Sequence, residues 1–170
     1  MKIKQKILLI LVILCVCVVC DQATKAIAKQ HLAGAPTIYA FGDTVMLHYS
    51  ENVGAFLSLG ARLPETARMW IFIVFNSLVL TGTLIFILTL RSFSVWGVIG
   101  GALVVGGGFS NLIDRLFHNG AVVDFLNIGI GKVRTGIFNL ADVAIMAGIG
   151  LLLFEAWRGE APRQIDTRPF

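Results

Sequence analysis

Four apolar stretches, each about as long as a bilayer core is thick, constrain this chain more than any other feature. A helix needs roughly 20 mostly apolar residues to cross about 30 Å of hydrocarbon. Residues 7–28, 67–90, 95–117 and 139–157 each supply such a run. A soluble chain of 170 residues could not bury them all: 56% of its residues are hydrophobic and 14% are charged, whereas a soluble domain carries roughly 25% charged residues. Lipid must serve as the second apolar solvent. The expected architecture is therefore an all-α membrane protein with four transmembrane helices, one integral membrane domain over residues 1–170.

Basic residues orient such a bundle, because loops rich in Lys and Arg stay on the cytoplasmic side. Lys2, Lys4 and Lys6 precede the first run, Arg91 follows the second, and Arg158, Arg163 and Arg168 follow the fourth. With four crossings these groups share one face. The other face mixes Lys29, Arg62 and Arg68 with Asp43, Glu51 and Glu65. Both termini are expected in the cytoplasm. The formal net charge of +4 is accounted for by orientation and membrane lipid headgroups, so no nucleic-acid partner is inferred.

The N-terminus resembles a secretion signal, with a basic start and an apolar run ending at Cys20. Cleaved signals want small residues before the cut; Val18 and Val19 are bulky, and the helical pattern continues through Ala23, Ala26 and Ala28. The segment reads as a retained first span. Cys15, Cys17 and Cys20 are odd in number and crowd one helix, which argues against a disulfide framework or a metal site. His31, His48 and His118 are scattered without ligand spacing and read as exposed loop histidines.

Two longer connections face the side away from the termini. In 29–64, Thr37-Ile38-Tyr39 and Val45-Met46-Leu47-His48-Tyr49 flank Gly42-Asp43, the pattern of a small hairpin. In 118–138, Val122 to Ile128 precede Gly129, Gly131 and Val133, again suggesting short strands and a turn. Together they predict a small extracytoplasmic β-cradle, unusually apolar for exposed loops and expected to rest on the membrane or cover a groove. Small residues four apart, Gly97 with Gly101 and Ala144 with Gly148, predict close helix packing.

Ionisable side chains inside spans are costly and mark function by default. Asp21 and Lys25 lie near the outer end of the first span, and Asn111, Asp114 and Arg115 near that of the third. Asp142 is in the first turn of the fourth, after Asn139, and Asp124 lies in the connection between them. Topology thus gathers four carboxylates and two cations at one face. Asp21 and Lys25 form an i,i+4 pair, and Asp114 and Asn111 read mainly as scaffolding. Arg115 offers a rigid fork for a carboxylate or substrate carbonyl. Asn139 can cap the fourth helix. Asp124 and Asp142 lack a local cation, and no serine–histidine pair, reactive cysteine or HExxH accompanies them. From the residues alone, three readings stand: a hydrolytic aspartate dyad, a proton or solute carrier such as a small proton-coupled transporter, and a structural subunit.

Five ordered motifs narrow the choice. They are Asp21-Gln-Ala-Thr-Lys25, Asn52-Val-Gly-Ala-Phe56, Gly107-Gly-Phe-Ser-Asn111-Leu-Ile-Asp114-Arg115, Val122-Val-Asp124-Phe125 and Phe138-Asn139-Leu-Ala-Asp142. Together they resemble the lipoprotein signal peptidase (signal peptidase II) family over almost the whole chain. The resemblance implies an aspartyl protease of the bacterial inner membrane, with its active site toward the outer face. It would act as a monomer on prolipoproteins bearing diacylglyceryl-cysteine and cleave before that residue. Asp124 and Asp142 would be catalytic; Asn52, Asn111, Arg115 and Asn139 would line the site, with Asp21, Lys25, Gly54 and Asp114 supporting it. No metal or organic cofactor is implied. Two departures stand out: a single alanine in Gly54-Ala55-Phe56 where some members have two, and Asn127 where many members carry a second acid. Two neighbouring carboxylates cannot both ionise cheaply, so the pair would share one proton. One carboxyl would then activate water while the other hydrogen-bonds the scissile carbonyl oxygen and later helps protonate the leaving amine.

Overall fold

The computed structural model describes residues 1–54, 64–89 and 93–159. Arg62, Arg91, Arg163, Arg168 and the Ala55-Phe56 end of the second motif lie outside the described residues. The elements run α1 (Ile3–Leu32), β1 (Ile38–Ala40), β2 (Val45–Asn52), α2 (Glu65–Thr89), α3 (Val95–Phe117), β3 (Val122–Ile130), β4 (Val133–Arg134) and α4 (Leu140–Gly159). All four helices are long and apolar enough to cross a membrane. At 1.5 Å per residue, α1 reaches roughly 45 Å, beyond a hydrocarbon core. Its last turns leave the expected span and meet the sheet, where Ala28 and Leu32 are buried with Phe125.

Helix α3 is the centre of the bundle. More than half of its apolar window is buried within the protein, against about a tenth or less for the other three. Its glycines permit this, because backbones approach closely only where no side chain intervenes. A Cβ on Gly106 would come within 2.9 Å of Cys17 in α1, and one on Gly108 would overlap Leu80 in α2. Towards α4, a Cβ on Gly100 would meet the Gly148 carbonyl at 2.9 Å, and one on Gly107 would overlap the Ala141 carbonyl. The apolar core at the other end joins Ile10, Ile87, Val98, Ala102 and Val105.

The end remote from the sheet is closed by Ser94, which caps α3 by accepting from Trp96 N at 3.1 Å. Glu155 accepts from Ser94 N at 2.9 Å and from Ser94 Oγ at 2.6 Å. This carboxylate therefore ties α4 to the start of α3.

The four strands form one antiparallel sheet in the order β1-β2-β3-β4. The β1–β2 turn runs through Phe41, Gly42 and Asp43, all with positive φ. The register of β2 against β3 slips once: Leu47 opposes Leu126, but Ser50 opposes Asp124. Three residues advance on β2 for two on β3, which is a bulge. Phe41, Ile130 and Val133 are each at least 80% exposed, so the connections keep much of their apolar surface uncovered by the protein. His31 and His48 are exposed as expected, but His118 is half-buried. Helix α3 ends on it, and the chain doubles back through Asn119 and Gly120, both left-handed.

Candidate active site

Two pieces of local chemistry bring the carboxylates together. Phe138 bridges to β3 at Leu126, donating to the Leu126 carbonyl at 2.8 Å and accepting from Leu126 N at 2.9 Å. That fixes Asn139 beside Asp124, just where α4 begins. Asn139 then caps α4: its Oδ1 accepts from Asp142 N at 2.9 Å, and Asp142 Oδ2 accepts from Asn139 N at 3.2 Å. This reciprocal box, with the acid three residues after the cap, pins the Asp142 side chain at the helix start. The amide nitrogen of Asn139 donates to Asp124 Oδ1 at 2.7 Å, so this residue meets the Asp124 carboxylate with its side chain and the Asp142 carboxylate with its backbone N–H.

The second device is the bulge. Opposed residues on antiparallel strands point to the same face, and a shift of one residue reverses the face. Beyond the bulge Asn52 opposes Val122, which puts Asn52 on the face of Asp124. Its Nδ2 donates to Asp124 Oδ2 at 3.1 Å, while its Oδ1 accepts from Gly54 N at 3.0 Å. Had the earlier register continued, Asn52 would face away. Both oxygens of Asp124 thus accept from amides.

A charged layer lies beneath. Lys25 Nζ lies 2.7 Å from Asp21 Oδ2 and 2.8 Å from Asp114 Oδ2, and donates to Asn111 Oδ1 at 2.9 Å. The i,i+4 pair expected of Asp21 and Lys25 therefore has a third charged partner. Asp21 also accepts from Ser110 Oγ at 2.7 Å and from Ala141 N at 2.8 Å, tying α1 to α3 and to the start of α4. Asp114 accepts from Gln22 Nε2 at 2.8 Å and from Val123 N at 3.1 Å, holding β3 one residue before Asp124. Asn111 does more than scaffold: its Nδ2 donates to Asp142 Oδ1 at 2.9 Å. Arg115 donates to the carbonyls of Gly54 at 3.2 Å and Asn111 at 3.4 Å, and its guanidinium lies 5.6 Å from the Phe72 ring centre.

All ten residues singled out in the sequence fall in this one network. Gln22 and Ser110 belong to it too and were missed. The signal was available, since Ser110 lies one turn before Asp114 and Gln22 follows Asp21 directly. Asn127, the residue where an acid was noted as common, is buried and turned away, with Arg134 Nε donating to its Oδ1. It staples the sheet instead of joining the site.

Asp124 is 3% exposed, whereas Asp142 is partly open. Burial, and secondarily the nearby charge of Asp142, pushes the Asp124 carboxyl up from 3.8 to about 6 against the opposing pull of the Asn52 and Asn139 amides and Lys25. A carboxyl so placed holds or releases a proton near neutral pH, as acid–base work on a water requires. Among the described residues no three His, Cys, Asp or Glu side chains converge as metal ligands would.

A four-span bundle carrying two amide-bridged carboxylates at one end has the architecture of a membrane-embedded aspartic peptidase. The family profile described as Signal peptidase (SPase) II matches residues 13–158. A lipoprotein signal peptidase of Leifsonia xyli subsp. xyli is 38% identical over 162 residues, covering 89% of this chain and 68% of that one. One from Treponema denticola is 39% identical over 142 residues, covering 79% and 80%. A solved chain described as a bacterial membrane enzyme shares the fold with a TM-score of 0.80 at 22% identity, covering 94% of each chain. This chain belongs to the signal peptidase II family and is an aspartic-type peptidase. The carrier alternative has no support: Glu155, the carboxylate near the other end of α4, is engaged with Ser94, and the relatives are peptidases.

Proposed function

We propose that Asp124 and Asp142 are the hydrolytic dyad with which this signal peptidase II removes signal peptides from bacterial prolipoproteins, cutting before a diacylglyceryl-modified cysteine. The observation that carries the assignment is Asn139, whose one side chain contacts Asp124 through its amide nitrogen and caps Asp142 through its oxygen. The charge of Asp142 reaches Asp124, and like charges within reach of one another disfavour double ionisation, so the pair holds one proton. The ionised member takes a proton from water, whose oxygen attacks the scissile carbonyl. The protonated member gives its proton to that carbonyl oxygen; the member that took the water's proton then passes it to the departing amine as the C–N bond breaks, and the first recovers a proton from the hydroxyl as the new carboxyl forms. Arg115 and Asn52 hold the Gly54 backbone beside the dyad and orient the substrate chain. The site takes the outer membrane face, with both termini cytoplasmic: Lys2, Lys4, Lys6 and Arg158 lie at the opposite ends of α1 and α4 from the dyad. Water is available at that face, while the signal helix and acyl chains stay in lipid. The protein works as a monomer.

The test is incubation of purified protein with a diacylglyceryl-modified prolipoprotein and with its unmodified precursor. Release of the signal peptide is expected from the modified form alone. Asp124→Asn and Asp142→Asn should each abolish release while leaving the amount of inserted protein unchanged. Substantial cleavage by either variant would remove the dyad, and equal cleavage of both precursors would remove the lipid requirement.

A further inference from the structure

The two acids of the dyad do not sit in equivalent surroundings, and the asymmetry starts at Lys25. This ammonium is 3% exposed and touches Asp21, Asp114 and Asn111. An amide facing a cation must turn its oxygen to it, and Asn111 Oδ1 does so, accepting also from Asn139 Nδ2 at 3.2 Å. The nitrogen of Asn111 is thereby committed to Asp142 Oδ1 at 2.9 Å. The other oxygen of Asp142 accepts a backbone N–H at the start of α4, where the helix dipole favours negative charge. The charge of Lys25 reaches Asp124 as well, but Asp124 has neither the Asn111 nitrogen nor a helix-start N–H. It lies in a strand buried on both faces, deeper than Asp142, with two neutral side-chain amides as its donors.

We infer that Lys25 is a positioning residue that acts through the Asn111 amide to keep Asp142 the ionised member of the pair, leaving the shared proton on Asp124. The inference rests on the dyad reading above. It sets the direction of catalysis: Asp142 is the base that accepts the water's proton, and Asp124 is the acid that meets the carbonyl oxygen. The charged groups packed around the pair are Asp21 and Lys25 from α1 and Asp114 and Arg115 from α3. Asp21 and Asp114 are engaged by Lys25. Arg115 is in electrostatic reach of both dyad acids, Asp124 more than Asp142, and so is not what selects Asp142.

Two measurements test it. The first is the pH dependence of kcat/KM on a synthetic lipopeptide for Lys25→Met/Asp114→Asn beside Asp114→Asn alone. Removing the acid with the cation avoids stranding two buried carboxylates. The acidic limb, where the singly protonated pair takes a second proton, should move upward by roughly one to two pH units, the effect of a full charge across one amide at an effective dielectric near ~20. A role in folding alone would lower the rate at every pH and leave the limb in place, which would overturn the inference. The second needs no change at Lys25. Isotope-edited infrared spectra at about pH 5, below the value near which Asp124 titrates, should show a neutral carboxyl band. It should vanish in Asp124→Asn and persist in Asp142→Asn; a band that persists in Asp124→Asn overturns the assignment. Cleavage surviving in both asparagine variants would instead remove the dyad itself. With both inactive and the limb unmoved, only the role of Lys25 falls.

Discussion

Replacing Asp124 with asparagine should make the protein inactive and, at neutral pH, better folded relative to wild type than it is in acid. A carboxyl raised from 3.8 to about 6 in the folded protein opposes folding once it must ionise. At 1.36 kcal/mol per pH unit, that opposition reaches about 3 kcal/mol. Below the unfolded value the group is neutral in both states and the penalty is absent. It grows as pH rises and is complete above about 6. Asparagine never ionises and so escapes it. The amide has its own penalty, because Asp124 accepts from Asn139 and Asn52 on its two oxygens; an NH2 on one side faces another donor, at about 1–3 kcal/mol. That second term does not depend on pH. The variant should therefore be less stable than wild type near pH 4 and comparable or more stable near pH 8, the difference moving by about 2.5 kcal/mol, because the unfolded group is already partly ionised at pH 4. For a chain of this size, that is a relative change in Tm of roughly 5–10 °C. Thermal melting of both proteins in one detergent at the two pH values measures it. A difference that stays constant, or moves the opposite way, would show that Asp124 is not held against ionisation, and the dyad chemistry would lose its physical basis.

Asn139→Ala should lose both the cap on α4 and the donor to Asp124, destabilising the fold by about 1 kcal/mol and cutting turnover at least ~100-fold, a conservative share of what positioned acid–base groups supply. Asn139→Ser restores a capping oxygen without the amide, so melting should recover and turnover should not; recovery of both would mean the bridge to Asp124 is idle. Gly107→Ala drives a methyl into the Ala141 carbonyl, beside the N–H that Asp21 holds. Overpacking of about 1–3 kcal/mol and reduced cleavage should follow, while Gly150→Ala, which meets nothing within 4 Å, should match wild type or gain slightly in stability. Asn52→Ala removes a donor that favours the ionised form of Asp124, so the alkaline limb of the pH–rate profile should move to higher pH; an unmoved or lowered limb would take Asn52 out of the site.

Much of this site is legible without coordinates because lipid penalises polarity so heavily. Asp21, Lys25, Asn111, Asp114, Arg115 and Asp142 stand out against apolar runs, and helix direction alone assigns them to one end of the bundle. Local rules go further: the i,i+4 spacing of Asp21 and Lys25 announces their pair, and Asn139, three residues before Asp142, announces a cap. The same rules misjudge Asn111, read mainly as scaffold, because contact with Asp142 on a different helix leaves no trace in local spacing. Gln22 and Ser110 carry a weaker signal, their places beside Asp21 and one turn before Asp114, because uncharged polar residues are better tolerated in spans than charges.

The placement of Asn52 against Asp124 belongs to the tertiary structure alone. Seventy-two residues separate the two, and strand periodicity has only two phases, so one extra residue on β2 decides whether the amide meets the carboxylate or turns away. Nothing within 45–52 fixes that phase. It is set by pairing with β3, by the packing of Leu47, Tyr49 and Leu126 against Ala28, Leu32 and Phe125, and by Asp114 anchoring β3 through Val123. Likewise, Asp142 reaches Asp124 because Phe138 pairs with Leu126 before α4 begins. The sequence carries which groups must leave lipid together; the register of a distant strand, a non-local balance of packing and hydrogen bonds, decides which of them touch.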